Sequence, residues 1–179
     1  GPQVIEARSA EIAAGLAARS VRVTPLTHNA QYVEVVVIHR NAFPRVIELS
    51  TPTNNVDLWR AQGIGLSEDG RTVSLTLPEH NLLIGGEPGS GKSVALSVLI
   101  SLVALDPRVT LTLLDGKQVE LAAWKEVSDR FVGPDTTEAV QALTYLQGLM
   151  ETRYDLLLRE GRRKLSPDSG FGLHVLVID

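Results

Sequence analysis

Apolar positions change their spacing several times along this chain, and each change marks an element. Over residues 6–19, Ile12, Leu16 and several alanines recur on one face, which predicts an amphipathic helix. Residues 21–26 and 33–39 are rich in β-branched side chains, the second run almost continuously apolar, and predict two strands. Residues 43–58 carry Pro44 and Pro52 and read as irregular. Strict alternation follows: Ile64 and Leu66 on one side of Asp69-Gly70, then Val73, Leu75 and Leu77 on the other. That pattern predicts a hairpin with a type I′ turn at Asp69-Gly70. Pro78 closes the unit, and a domain boundary is expected there, dividing the chain into 1–78 and 79–179.

The second part opens with an apolar run at 81–84, read as a strand, and a glycine-rich loop. Residues 93–105 then form a helix that is apolar nearly all round, as expected of one covered by other elements. Asp106-Pro107 ends it, and 109–114 is the next strand. Strand, helix and strand in this order predict a right-handed βαβ unit with parallel strands. A short helix is expected over 119–126, then a connector holding Phe131-Val132-Gly133-Pro134. Asp135 and Glu138 resemble a capping box. Behind them Ala139, Val140, Leu143, Leu146, Leu149, Met150, Leu157 and Leu158 recur at helical spacing to about Glu160, read as core packing, with Gly161 as the cap. A polar loop over 166–172 leads to a last apolar strand, 174–179. The fold class is α/β: a parallel sheet, incomplete at its C-terminal end, behind a small α+β domain.

Composition narrows the function classes. Hydrophobic residues make up 44% and charged residues 21% of the 179, an ordinary globular balance. No apolar run reaches the roughly 20 residues that span a bilayer, so no membrane segment is expected in this chain. There are no cysteines, which rules out disulfides and thiolate metal sites, and the four histidines show no ligand spacing. The net charge of −4 gives no overall basic footprint. The one compact basic cluster, Arg162-Arg163-Lys164, reads as the solvated end of the long helix, with a phosphate contact or subunit interface as the alternative. Gly1-Pro2 reads as a scar of tag removal, and an end inside a core strand suggests a fragment.

The sharpest chemical signal is Gly86-Glu87-Pro88-Gly89-Ser90-Gly91-Lys92-Ser93, which satisfies the phosphate-loop pattern G-x-x-x-x-G-K-[ST]. Glycines let the chain wrap so that backbone N–H groups point at phosphate oxygens. Lys92 reaches the β- and γ-phosphates, and the Ser93 hydroxyl ligates Mg²⁺. The helix that starts here, with Val94 in its first turn, adds its positive dipole end. ATP and Mg²⁺ are therefore the expected ligands. The second signal is the apolar strand ending in Asp179, the usual partner of a phosphate loop, whose carboxylate holds Mg²⁺ through water. The glutamate that often follows such an aspartate is not in the chain, so ATP binding is expected of it and efficient hydrolysis is not. Asp115 also ends a strand beside the loop; a supporting role at the site and a plain turn with Gly116 are both open.

With both motifs placed, the chain resembles the FtsK/SpoIIIE family of ring-shaped DNA translocases. His80-Asn81-Leu82-Leu83-Ile84-Gly85-Gly86 resembles the family's "PHLLVAG" entry, and Leu113 through Leu121 resembles its "hhDPKxxEL" segment, with Gly116 in place of proline. Leu149 through Tyr154 resembles its "MExRY" helix motif. Residues 65–77 resemble its "LGxDxxGxPVxxDL" hairpin, and the segments 10–16 and 20–23 its helix and strand ahead of the motor. The resemblance implies a RecA-like ATPase core, a hexamer, and double-stranded DNA as the partner, gripped by segments largely outside this chain. It also implies a cytoplasmic location, with the whole protein anchored at the inner face of the membrane, and a role in chromosome segregation or conjugative plasmid transfer. An arginine- and alanine-rich composition suggests an actinobacterial plasmid-transfer relative. The alternatives are an ATPase of a type VII-like protein secretion system, which shares these motifs, and an assembly module switched by nucleotide.

Overall fold

The computed structural model describes residues 2–28, 32–40, 56–67 and 69–179. Most of the segment expected to be irregular, 43–58, lies outside the described residues. The chain divides into two compact units, one of residues 1–49 with 66–72 and one of 50–65 with 73–179.

In the first unit, α1 (Pro2–Ala7) and α2 (Ser9–Gly15) replace the single helix expected over 6–19. Arg8 interrupts them with ψ near 13°. The end comes early because the chain turns back on itself. Ala17 takes a left-handed φ of 48°, and the N–H groups of Ala17 and Ala18 close onto the carbonyls of Ala14 and Ala13. A side chain in that conformation costs about 1 kcal/mol, which the two closing bonds offset. The strands β1 (Ser20–Pro25) and β2 (Val33–Ile38) are antiparallel, with Ser20 opposite Ile38 and Pro25 opposite Val33. Among the described residues Ala13 is the one buried apolar side chain here.

The hairpin exists as β3 (Gln62–Leu66) and β4 (Thr72–Leu75). Its loop is longer than a type I′ turn. Ser67 N–H donates to the Arg71 carbonyl, Gly70 N–H donates back to the Ser67 carbonyl, and Gly70 sits at φ 79°. The glycine is needed, one position later than a two-residue turn would need it.

The second unit is built on a parallel sheet in the order β6-β5-β7: β6 (Arg130–Val132), β5 (Thr110–Leu114) and β7 (His174–Ile178). The middle strand is buried on both faces from Leu111 to Leu114, Thr112 included, although Thr110 and Thr112 alternate with leucines in its sequence. Leu111 and Leu113 point to one face and join Ile100, Leu102 and Val103 of α3 (Lys92–Ala104), together with Val56, Leu58 and Leu121. Leu114 points to the other face and joins Val132 and Ala142 of α4 (Thr136–Arg159). The three residues of β6 fall within the segment expected to be a connector; so short a run carries no readable period.

Val56, Leu58, Ile64 and Leu77 all pack into the α3 face of this core. A boundary near Pro78 would cut through that packing. A charged staple reinforces it. The Asp106 carboxylate accepts the Leu58 N–H at 2.9 Å and the Arg108 guanidinium at 2.9 and 3.0 Å, and Arg108 reaches on to Asp57 at 2.6 Å. Burial pushes the Asp106 pKa up, but Arg108 and the two backbone donors outweigh it, and the net shift is downward.

The long helix forms with the expected ends. The Asp135 carboxylate accepts the N–H groups of Thr137 and Glu138, a cap of about 1 kcal/mol. At the other end Gly161, at φ 62°, lets Arg162 N–H close on the Leu157 carbonyl. Its apolar positions divide between two faces, contrary to a single core stripe. Ala142 is fully buried, while Val140, Leu143, Met150 and Leu158 are exposed. The basic residues that follow are largely engaged: Arg162 bonds Glu160 and Ser166, and Lys164 pairs with Glu79 at 2.5 Å. No helix among the described residues is long and apolar enough to cross a membrane.

Candidate nucleotide-binding site

The strand expected at 81–84 is not formed. Residues 80–87 carry no ladder, and Leu82 and Leu83 are exposed, the latter at 94%. A strand needs a hydrogen-bonded neighbour, and residues 80–84 make no backbone bond to the open edge of β7. Residues 80–84 instead share the lining of a cavity of about 940 Å³ with all of β7. The expected βαβ unit is thus reduced to loop, helix and strand.

The phosphate loop itself is well made. Gly89 and Gly91 hold φ of 78° and 93°, a region that favours glycine. Gly91 is the residue before α3, so the left-handed turn places the helix start directly behind the loop. Gly86 is needed for space: a Cβ there would lie 2.5 Å from the Ser90 hydroxyl. Ser90 N–H donates to the Glu87 carbonyl at 3.1 Å. Among the described residues, the N–H groups of Gly89, Gly91, Lys92, Ser93 and Val94 have no protein acceptor. Lys92 Nζ donates to the Gly86 and Glu87 carbonyls, both at 2.8 Å, so its ammonium is held over the loop. Unpaired N–H groups and a cation held beside them form the donor set a polyphosphate requires.

Pro88, Gly89, Lys92, Ser93 and Asp179 line the same cavity. Gly86, Glu87, Ser90, Gly91 and Val94 do not line it; the first four build the loop behind it, and the Val94 side chain is exposed on α3. Asp179 is set by the sheet. Its N–H donates to the Leu114 carbonyl at 3.0 Å, and its own carbonyl accepts Gly116 N–H at 3.4 Å. The carboxylate therefore stands at the end of β7, exposed toward the loop's cavity. Among the described residues no three His, Asp or Glu side chains gather to hold a metal ion. The Ser93 hydroxyl and the Asp179 carboxylate are the oxygen groups that would hold a Mg²⁺ ion here, one completed by phosphate and water.

Asp115 does not line the cavity. Its side chain is fully buried and accepts three backbone N–H groups, from Lys117 at 3.1 Å, Gln118 at 2.7 Å and Leu121 at 2.9 Å. It builds the turn after β5, in which Gln118 holds a left-handed φ of 55°. That turn brings Lys117 and Glu120 to the cavity. Both stand at the lysine and glutamate of the "hhDPKxxEL" resemblance, but no role followed from it, since sequence does not show the sheet that aims them.

Several relatives and one family profile match the chain. The "DNA translocase FtsK" of Staphylococcus aureus (strain Mu50) is 32% identical over 164 residues, covering 87% of this chain and 21% of the relative. The protein of the same name from Listeria monocytogenes is 31% identical over 169 residues, covering 88% and 22%. That from Lactococcus lactis subsp. cremoris is 36% identical over 110 residues, covering 58% and 14%. The chain thus spans about a fifth of the length of the first two. The FtsK/SpoIIIE family profile matches residues 53–179, which contain the whole second-unit sheet, the phosphate loop and Asp179. With that coverage and this loop geometry, the chain belongs to the FtsK/SpoIIIE family, and its second unit is a phosphate-loop NTPase fold of mixed α/β type with a three-stranded parallel sheet.

Proposed function

We propose that this chain is the ATP-binding part of a motor that moves double-stranded DNA. The observation that carries the reading is the meeting of Lys92, Ser93 and Asp179 in one cavity, although Asp179 is 86 residues beyond Ser93 in the sequence. In this reading the free N–H groups of the loop and Lys92 hold the β- and γ-phosphates, with Gly89, Ser90 and Gly91 forming the cradle. Ser93 binds Mg²⁺ directly, and Asp179 binds it through water. Mg²⁺ would neutralise charge on the phosphates; the chain's own groups position them. The second unit is the N-terminal half of a RecA-like core, and residues ahead of it form a small α+β domain. The working assembly is a hexameric ring in the cytoplasm, serving chromosome segregation or plasmid transfer. The relatives' names support DNA as the cargo.

Two experiments test this. Lys92→Ala removes the cation and leaves the core untouched, so Mg·ATP binding by this chain should be lost with the unfolding curve unchanged. A version extended beyond Asp179 should turn over ATP, and linear double-stranded DNA should stimulate it strongly. Full ATP binding by the Lys92→Ala variant, or turnover indifferent to DNA, would overturn the respective half of the reading.

A further inference from the structure

A second lysine faces the phosphate cavity, and its position is held by an arrangement a simple connector does not need. Lys117 lies in the turn that follows β5. Its N–H is bonded to the buried Asp115 carboxylate, as is that of Gln118. Gly116, on its other side, donates to the carbonyl of Asp179. Gln118 holds a left-handed φ, and its side chain lies against Gly133, where a Cβ would come within 2.2 Å of Nε2. A buried carboxylate and an unfavourable φ together fix this backbone. Their joint result is that Lys117 lines the cavity with Lys92, Ser93 and Asp179.

The two lysines differ in state. The Lys92 ammonium is satisfied by two loop carbonyls, whereas the Lys117 ammonium has no hydrogen bond or ion pair among the described residues. Lys117 also stands on the Asp179 side of the cavity. Adjacent strands lie about 4.8 Å apart, so the β5 turn is one strand spacing from the end of β7. A lysine can cross that spacing to whatever lies between Asp179 and the loop. A polyphosphate bound with its inner groups on the loop N–H donors would extend its terminal group toward that side.

We propose that Lys117 is a second phosphate-binding cation of this site and contacts the terminal phosphate of a bound nucleoside triphosphate, so that it distinguishes ATP from ADP. The inference rests on the assignment of the cavity to nucleotide. A charge-assisted bond to phosphate contributes about 1.5–3 kcal/mol, equivalent to roughly 10- to 100-fold in affinity. Because the side chain is exposed, its replacement leaves the fold intact.

The test is the equilibrium binding of Mg·ATP and Mg·ADP to this chain, measured for the wild type, Lys117→Gln, Lys117→Arg and Lys92→Ala. Lys117→Gln should weaken ATP at least about tenfold while changing ADP less than about twofold, and Lys117→Arg should recover most of the ATP affinity. Equal losses for both nucleotides, or no loss for either, would overturn the role of Lys117 even where Lys92→Ala abolishes binding. A wild-type chain that binds neither nucleotide would overturn the assignment of the cavity, and this role with it.

Discussion

Replacing Asp115 by alanine is the most demanding test of how the site is supported. The carboxylate is fully buried and accepts three backbone N–H groups, of which the Leu121 bond is itself buried and the other two partly so. Leaving the Leu121 N–H without a partner costs about 1–3 kcal/mol, and losing the other two bonds costs about 0.5–1.5 kcal/mol each, since water can reach those groups. The sum, roughly 2–6 kcal/mol, is reduced by no longer burying a charge, so a loss of about 3 kcal/mol is expected. Asp115→Asn retains one accepting oxygen and should lose about half as much. Urea unfolding followed by circular dichroism reads both values, provided that the slope with denaturant is unchanged. An Asp115→Ala chain within about 1 kcal/mol of wild type would refute the claim that this carboxylate holds the turn.

Two glycines should respond to different degrees. A Cβ on Gly172 would lie 2.1 Å from the Arg108 carbonyl, backbone that cannot move without parting β5 from β7, so Gly172→Ala should cost about 1–3 kcal/mol and lower Tm by several degrees. Gly133→Ala meets only the end of the Gln118 side chain, and its Tm should fall by less; equal effects would contradict this reading. Stability should also fall on mild acidification. Burial lowers the His174 pKa below its usual 6.5, with the Arg153 charge adding to this and Asp129 opposing it, while Thr112 shares a hydrogen bond with the ring. The unfolded chain then binds the proton more readily, so stability is full above about pH 6.5 and declines below it. The lowered Asp57 and Asp106 add their own loss only near and below pH 3.8. Thermal melts between pH 7 and 5 should show the decline in wild type and a flatter profile in His174→Gln; identical profiles would rule this out.

Much of this protein was legible in its sequence, and the reason is locality. A phosphate loop is a set of φ values, free N–H groups and one lysine within eight consecutive residues, so Gly86–Ser93 declares itself without its surroundings. The caps at Asp135 and Gly161 are equally local, and both stand where the pattern put them. Strands β1, β2, β5 and β7 follow from runs of β-branched and apolar residues. What depended on distant partners was not legible. Residues 81–84 have the composition of a strand, but a ladder requires a neighbour, and sequence does not show whether one is adjacent. The α4 stripe looked like core because periodicity reports apolar faces, not what covers them. Val56 and Leu58 join the second unit because they fill space against α3 and β5, and because Asp106 reaches Leu58 from 48 residues away. The site divides in the same way. Sequence alone named Lys92, Ser93 and Asp179, since each ends a recognisable local pattern. Only the parallel pairing of β5 with β7 decided that Asp179 and Lys117 share a cavity with the phosphate loop. That is a matter of which strands lie side by side, which the long-range packing of the core determines.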